Sequence, residues 1–167
     1  QSLFTVFLLQ GFLSLAIGTP LLMNAYNSKD MVASFGAVEI LAMVGWVIGL
    51  LFEAGGDLQL ARFKANPSNK GKLCTLGFWA LTRHPNYFGD ALMWCSLGLF
   101  CLRLPLPYGL LCLIGPALMT FLLVKVSGVA LLEKGMKAKS PEYVEYMKTT
   151  PAFLPFFKIC KQQKRYF

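Results

Sequence analysis

From Ser2 to Asn27 no residue carries a charge, and this run limits the chain more than any other feature. It is long enough to cross a hydrocarbon core of roughly 30 Å. Inside that core every backbone polar group needs an internal partner, so the run folds as a helix or not at all. It is too long for a signal peptide and lacks a basic start. Three further apolar stretches follow it. A chain of 167 residues that is 56% hydrophobic and 14% charged therefore reads as a polytopic all-α membrane bundle rather than a soluble domain.

Four spans are predicted. The first covers 3–26, with Pro20 as an interior kink, and Asn27-Ser28-Lys29-Asp30 forms a turn after it. The second begins near Ala33 and projects beyond the membrane to about Phe63, because no stop signal stands at its edge. Asn66-Pro67-Ser68-Asn69-Lys70-Gly71-Lys72 is a dense run of turn residues and reads as a loop. The third span starts at Pro85, a residue suited to the first helical position, and His84 before it is biased toward extended backbone. It runs to about 102. After the turn Leu104-Pro105-Leu106-Pro107, the fourth runs from Tyr108 to Leu132, with Pro116 as a second kink. Ser140-Pro141-Glu142 reads as an N-cap, a first-turn proline and an acid at the positive end of a short amphipathic helix.

The net charge of +8 is unevenly spread. Arg62, Lys64, Lys70, Lys72 and Arg83 fall between spans two and three; Lys134, Lys137, Lys139, Lys148, Lys158, Lys161, Lys164 and Arg165 follow span four. Four crossings put both groups on one side, and the positive-inside rule makes that side cytosolic, or matrix in a mitochondrion. The endoplasmic reticulum is the expected membrane, with the mitochondrial inner membrane as the alternative. Nucleic acid is excluded as a partner, since that reading needs the charges on a soluble face with stacking aromatics. The five cysteines show no CxxC spacing and read as small hydrophobes, not as a metal site or disulfide framework.

One stretch is too polar for its place. TRHPNYFGD, residues 82–90, brings an Arg, the only His, an Asn, a Tyr and an Asp to the mouth of the third span. A helix start with free N–H groups beside Arg83, Lys64, Lys70 and Lys72 suits a phosphate or pyrophosphate. Asn86, Tyr87 and Asp90 share one side of the first turn, and Tyr87 and Trp79 offer rings for stacking. Asp90 lies a turn deeper, where a bare carboxylate costs about 2–3 kcal/mol unless partnered. Glu53, Asp57 and Lys64 share a face of the second helix. Two readings stand on spacing alone: a nucleotide entering from the basic side, or headgroup anchors with Asp90 paired to a neighbouring helix. Glu39, an acid inside the second span, is a further functional candidate by default.

LTRHPNYFGDALMW, with FEAGGDLQLARFKANPSNKGK, LLVKVSGVALLEKGM and SPEYVEYMKTTPAFLPF, resembles the membrane sterol and steroid reductases, and most closely the steroid 5-alpha reductase-like DUF1295 proteins. The resemblance is best over 51–156, within a single membrane domain of 1–156 that precedes a basic tail, 157–167. It implies the C-terminal, NADPH-binding half of a reductase whose hydride goes to an activated C=C bond of a lipid-like substrate. Asp57, Lys64, Trp79, Arg83, Asn86, Tyr87, Asp90, Glu133 and Tyr146 match cofactor contacts; catalytic residues are not assigned. His84 is read as an anchor of the helix start, not a general acid. The Glu and Tyr that engage the substrate carbonyl in 5-alpha reductases lie upstream of anything matched, and the chain is expected to begin after them. Two alternatives remain open. One is an isoprenylcysteine- or phospholipid-type methyltransferase that uses S-adenosylmethionine, since such enzymes carry a similar RHPxYxG stretch. The other is a non-catalytic subunit of a larger membrane assembly.

Overall fold

The computed structural model describes residues 2–27, 36–126 and 128–156. Every regular element among them is helical. The first apolar run is two helices, α1 (Ser2–Ile17) and α2 (Thr19–Asn27), meeting at a bend of 54°. The break falls at Gly18 and not at Pro20 itself. Pro20 occupies the first turn of α2, where its missing N–H costs no hydrogen bond, and Thr19 Oγ1 donates to Ala16 O at 2.6 Å across the joint. Ser28, Lys29 and Asp30 of the expected turn lie outside the described residues.

The long second helix, α3 (Ala37–Ala65), has 29 residues, about 43 Å at 1.5 Å per residue, and so projects past a bilayer core as expected. Glu39 sits at its third position and accepts the Gly36 N–H at 2.8 Å. That carboxylate caps its own helix. At the other end Asn66 opens a single 3₁₀ turn, Pro67–Asn69, within the loop of turn residues.

A one-turn helix, α4 (Phe78–Leu81), leads to α5 (Pro85–Phe100), which starts at the expected proline. At 16 residues α5 is about 24 Å long, short of a hydrocarbon core, and a 3₁₀ turn, Cys101–Arg103, extends it. The fourth predicted span is more broken than its composition suggests. It comprises α6 (Tyr108–Leu111), α7 (Ile114–Phe121), a π-helical turn Leu122–Val126 and α8 (Val129–Lys139). The last apolar helices thus continue beyond Leu132. By length and composition Ala37–Ala65 and Tyr108–Ala138 each suffice to cross a membrane, and the bent α1–α2 pair makes a third if taken as one span. Finally α9 (Pro141–Thr149) begins where expected, with Ser140 Oγ accepting the Tyr143 N–H at 3.2 Å.

The centre of the bundle is an antiparallel α3–α5 hairpin packed backbone to backbone. Gly45 faces Ser96, Gly49 faces Gly89 and Met93, and Gly56 faces Pro85. Between lipid-exposed helices there is no hydrophobic drive to associate, so close approach through small residues supplies the contact. Along the outer side of α3, Val44, Val47, Ile48 and Leu51 remain exposed, as a lipid-facing surface requires. Helices α6 to α8 run back antiparallel to α5: Gly98 lies against Pro116, Tyr87 against Gly128, and Arg83 against Glu133. The 62–83 region and the chain after Gly128 therefore meet at one end of the bundle, with the Cys101–Tyr108 turn at the other.

Candidate functional site

The signature segment folds because its polar groups are bonded to the C-terminal segment. Thr82, fully buried, donates its hydroxyl to the carbonyls of Ala152 at 3.1 Å and Phe153 at 2.9 Å. The Arg83 N–H donates to Pro151 O at 2.9 Å, and the Phe156 N–H donates to Leu81 O at 3.0 Å. Arg83 is itself 6% exposed. Its Nε and Nη2 reach Glu133 Oε1 at 2.8 and 2.7 Å, and its Nη1 donates to Met147 O at 3.1 Å and Thr150 O at 2.5 Å. Every guanidinium nitrogen thus has a protein partner. An uncompensated charge at such depth would cost several kcal/mol, which explains why Glu133, 9% exposed, stands opposite it.

His84 completes the cluster. Its Nε2 lies 3.3 Å from the same Glu133 oxygen, and its ring stacks on Tyr87 with centroids 5.5 Å apart. Burial lowers the imidazole below its ordinary value of 6.5, outweighing the opposite pull of Glu133. The folded chain then binds fewer protons than the unfolded one just below that value. The resulting stability is complete above about pH 6.5 and declines as the pH falls beneath it. Because His84 is the chain's only histidine, the effect is separable. Melting temperatures from about pH 5 to pH 7.5 should fall on the acid side for the parent and vary less for His84→Gln. Parallel curves for the two proteins would contradict this assignment.

Trp79 and Tyr146 belong to the same clamp. Trp79 Nε1 donates to Gly56 O at 3.0 Å, fixing α4 to α3, and the Tyr146 hydroxyl donates to Trp79 O. Burial raises the Tyr146 phenol, which stays a donor at neutral pH.

The remaining expected residues stand on the flank of the hairpin. Asn86, Tyr87 and Asp90 are half-buried on the first turns of α5, and Asp57 and Lys64 are exposed on α3. Asn86 Oδ1 accepts the Tyr87 N–H at 3.0 Å, and Asp90 lies within reach of Trp94. Glu53 lies within electrostatic range of both Asp57 and Asp90. No ion pair among the described residues involves these three carboxylates. The structure therefore divides the nine residues into a clamp of buried Arg83, Glu133 and Tyr146 with half-buried Trp79, and a more open flank of Asp57, Lys64, Asn86, Asp90 and Tyr87, the last stacked on His84 of the clamp. Two open cavities at the same end, about 640 and 630 Å³, are lined by none of the flank residues. One follows Gly55, Leu58, Gln59 and Arg62, on the side of α3 away from Asp57; the other follows Arg83 and 147–156.

Sequence reading missed Thr82 and Gln59. Gln59 donates to Leu76 O at 2.9 Å and accepts the Phe78 N–H at 3.0 Å, pinning the turn at Gly77, whose φ of +60° favours glycine. Only the polar character of Thr82, inside an already polar motif, hinted at its role.

Comparison with known proteins agrees with the motif. A family model described as "Protein of unknown function (DUF1295)" matches residues 1–150. Over 74 residues the chain is 34% identical to the Delta(14)-sterol reductase of Arabidopsis thaliana, a match covering 38% of this chain and 20% of that enzyme. Over 42 residues it is 45% identical to the probable O-methyltransferase ustE of Ustilaginoidea virens, covering 25% of this chain and 15% of that protein. The matches thus span a fifth or less of these relatives' lengths. No solved structure matches at a comparable level. The chain belongs to the DUF1295 family, a steroid 5-alpha reductase-like family of membrane proteins with distant sterol reductase homology.

Proposed function

We propose that the chain is the cofactor-binding part of a membrane-embedded, NADPH-dependent reductase of an activated C=C bond in a lipid-like substrate such as a steroid, sterol, enone or fatty-acyl compound. The observation that carries this reading is the flank itself. A set of half-buried polar side chains at the mouth of α5 stands beside three carboxylates that have no ion-pair partner among the described residues, on a chain similar over 74 residues to a sterol reductase. The residues fit the group. Carboxylates and the Asn86 amide suit the hydroxyls of a ribose and the carboxamide of a nicotinamide, while the Tyr87 ring, one face of which is already stacked on His84, contributes through its hydroxyl edge. Lys64 lies about 10 Å further along α3 than Asp57, seven residues at 1.5 Å each, where a phosphate would extend toward water.

When bound, NADPH supplies a hydride. The chain's own part is to hold and orient it: Asp57, Asn86, Tyr87 and Asp90 at the ribose and ring end, Lys64 at the phosphate end. Arg83, Glu133, Trp79 and Tyr146 bear on the cofactor by fixing where α5 begins. The acid that protonates the other alkene carbon is not assigned. The basic end faces the cytosol or matrix, in the endoplasmic reticulum or the mitochondrial inner membrane, and other membrane subunits remain open as partners.

The match to a probable O-methyltransferase supports a second reading, in which the same mouth takes S-adenosylmethionine. Titrating each nucleotide into the purified chain separates the two. The reductase reading expects NADPH to quench tryptophan fluorescence saturably, with S-adenosylmethionine at least tenfold weaker; the reverse preference would overturn it.

A further inference from the structure

On the side of α3 away from Asp57, one face of the helix changes from apolar to basic. Val44, Ile48, Leu51, Gly55, Leu58 and Arg62 recur at intervals of three and four, so they form a single stripe. Its large apolar members are exposed, as a lipid-facing surface requires. Gly55, Leu58 and Arg62 also line the open cavity of about 640 Å³, whose other wall is Gly77, Phe78 and Leu81. The two walls stand this close because Gly55 has no side chain: a Cβ there would meet the Phe78 ring at 2.6 Å. The stripe thus runs unbroken into the cavity and ends on a cation. Counted from Ala37, a hydrocarbon core of roughly 30 Å uses about twenty residues of α3 and ends near Asp57. Arg62 then stands about 7 Å further out, at the depth of the headgroups. Trp79, bonded to Gly56 O, marks the same interface, where aromatic rings with a polar edge collect. Arg62 is exposed and takes part in no ion pair among the described residues. From Leu58 to Gly89 the sequence carries Arg62, Lys64, Lys70, Lys72 and Arg83 and no acid at all.

We propose that this cavity seats one anionic phospholipid, its phosphate on Arg62 and its acyl chains laid along Leu58, Leu51 and Ile48. The guanidinium donates two parallel N–H bonds to phosphate oxygens, a geometry that a point charge does not offer. The cavity is of a size that takes a headgroup and the upper part of the chains, and the rest of the chains lie on the exposed stripe. A headgroup of net negative charge is preferred to a choline, because the choline cation would stand among Arg62 and Lys64 on a segment with no carboxylate to receive it. Bound there, the lipid bridges α3 to α4, the short helix whose Trp79 belongs to the clamp. The site lies on the opposite side of α3 from the proposed dinucleotide flank and does not depend on the reductase reading.

The test titrates the purified chain in detergent with dioleoyl phosphatidylglycerol or dioleoyl phosphatidylcholine and counts retained lipids by native mass spectrometry. The parent should retain one phosphatidylglycerol about tenfold more tightly than phosphatidylcholine, and Arg62→Gln should bind both alike. Because Arg62 is exposed, Arg62→Gln should melt like the parent without lipid, and phosphatidylglycerol should raise the melting temperature of the parent alone. Leu58→Trp, which narrows the cavity from an exposed position, should also lose the retained lipid, whereas Lys148→Gln, an exposed cation paired with Glu145, should keep it. Equal retention by the parent and Arg62→Gln would overturn the proposal, as would equal retention of the two lipids. Displacement of the lipid by inorganic phosphate or by NADPH would overturn it as well, since the cavity would then serve a soluble phosphate.

Discussion

Replacing Gly89 with leucine abolishes the folded chain. A single Cβ at that position would stand 2.4 Å from both the Glu53 nitrogen and the Gly49 oxygen, distances that no real Cβ keeps. Both neighbours are backbone, so no side chain can swing aside, and α3 and α5 would have to part along their length. Overpacking of an adaptable core costs about 1–3 kcal/mol, and this contact has nothing adaptable in it. Gly89→Ala is therefore expected to lower the melting temperature sharply and Gly89→Leu to leave no monodisperse protein in detergent. Gly11→Ala and Gly135→Ala are the controls, since a Cβ at either meets nothing within 4 Å. A Gly89→Leu chain that elutes and melts like the parent would disprove the close hairpin.

Arg83→Ala produces the second large loss. It leaves Glu133 charged and buried, and it strips the carbonyls of Met147 and Thr150 of a donor. Removing one partner of a buried pair typically costs about 3–5 kcal/mol, whereas replacing both by apolar residues of similar size is often near neutral. The double variant Arg83→Met with Glu133→Leu should accordingly melt closer to the parent than Arg83→Ala alone. Limited proteolysis gives a second readout, because the single variant should expose residues 150–156 to cleavage. Equal melting temperatures for parent and Arg83→Ala would show that the clamp contributes nothing.

Local chemistry made much of the fold legible. Pro85 at the start of α5 and Ser140 at the cap of α9 each act through their immediate neighbours, and both stand where the sequence puts them. Pro20 misleads by two residues, since a proline is comfortable in the first turn of the next helix and the weak point becomes Gly18 before it. The π turn at Leu122–Val126 holds Lys125 within an otherwise apolar run, and a single charge there does not encode a change of helical pitch. Arg83 and Glu133 are separately conspicuous, but their pairing spans 50 residues and depends on how α8 returns along α5, which no local spacing encodes. Reading Arg83 beside Lys64 as phosphate donors followed from proximity in sequence; the fold buries one and leaves the other in the open. Glu39 looked functional because an acid in an apolar helix is expensive, and its partner, the Gly36 N–H, is supplied by its own helix start.

The central claim is that the α5 mouth holds a dinucleotide, and NADPH titration of Asp90→Ala against the parent tests it most directly. Asp90 is half-buried and lies outside the Arg83 clamp, so the variant is expected to insert and melt like the parent. Losing a charge-assisted hydrogen bond of about 1.5–3 kcal/mol should then weaken NADPH by roughly ten- to a hundredfold. A variant that binds NADPH as tightly as the parent, or a parent that does not bind it at all, would contradict the account.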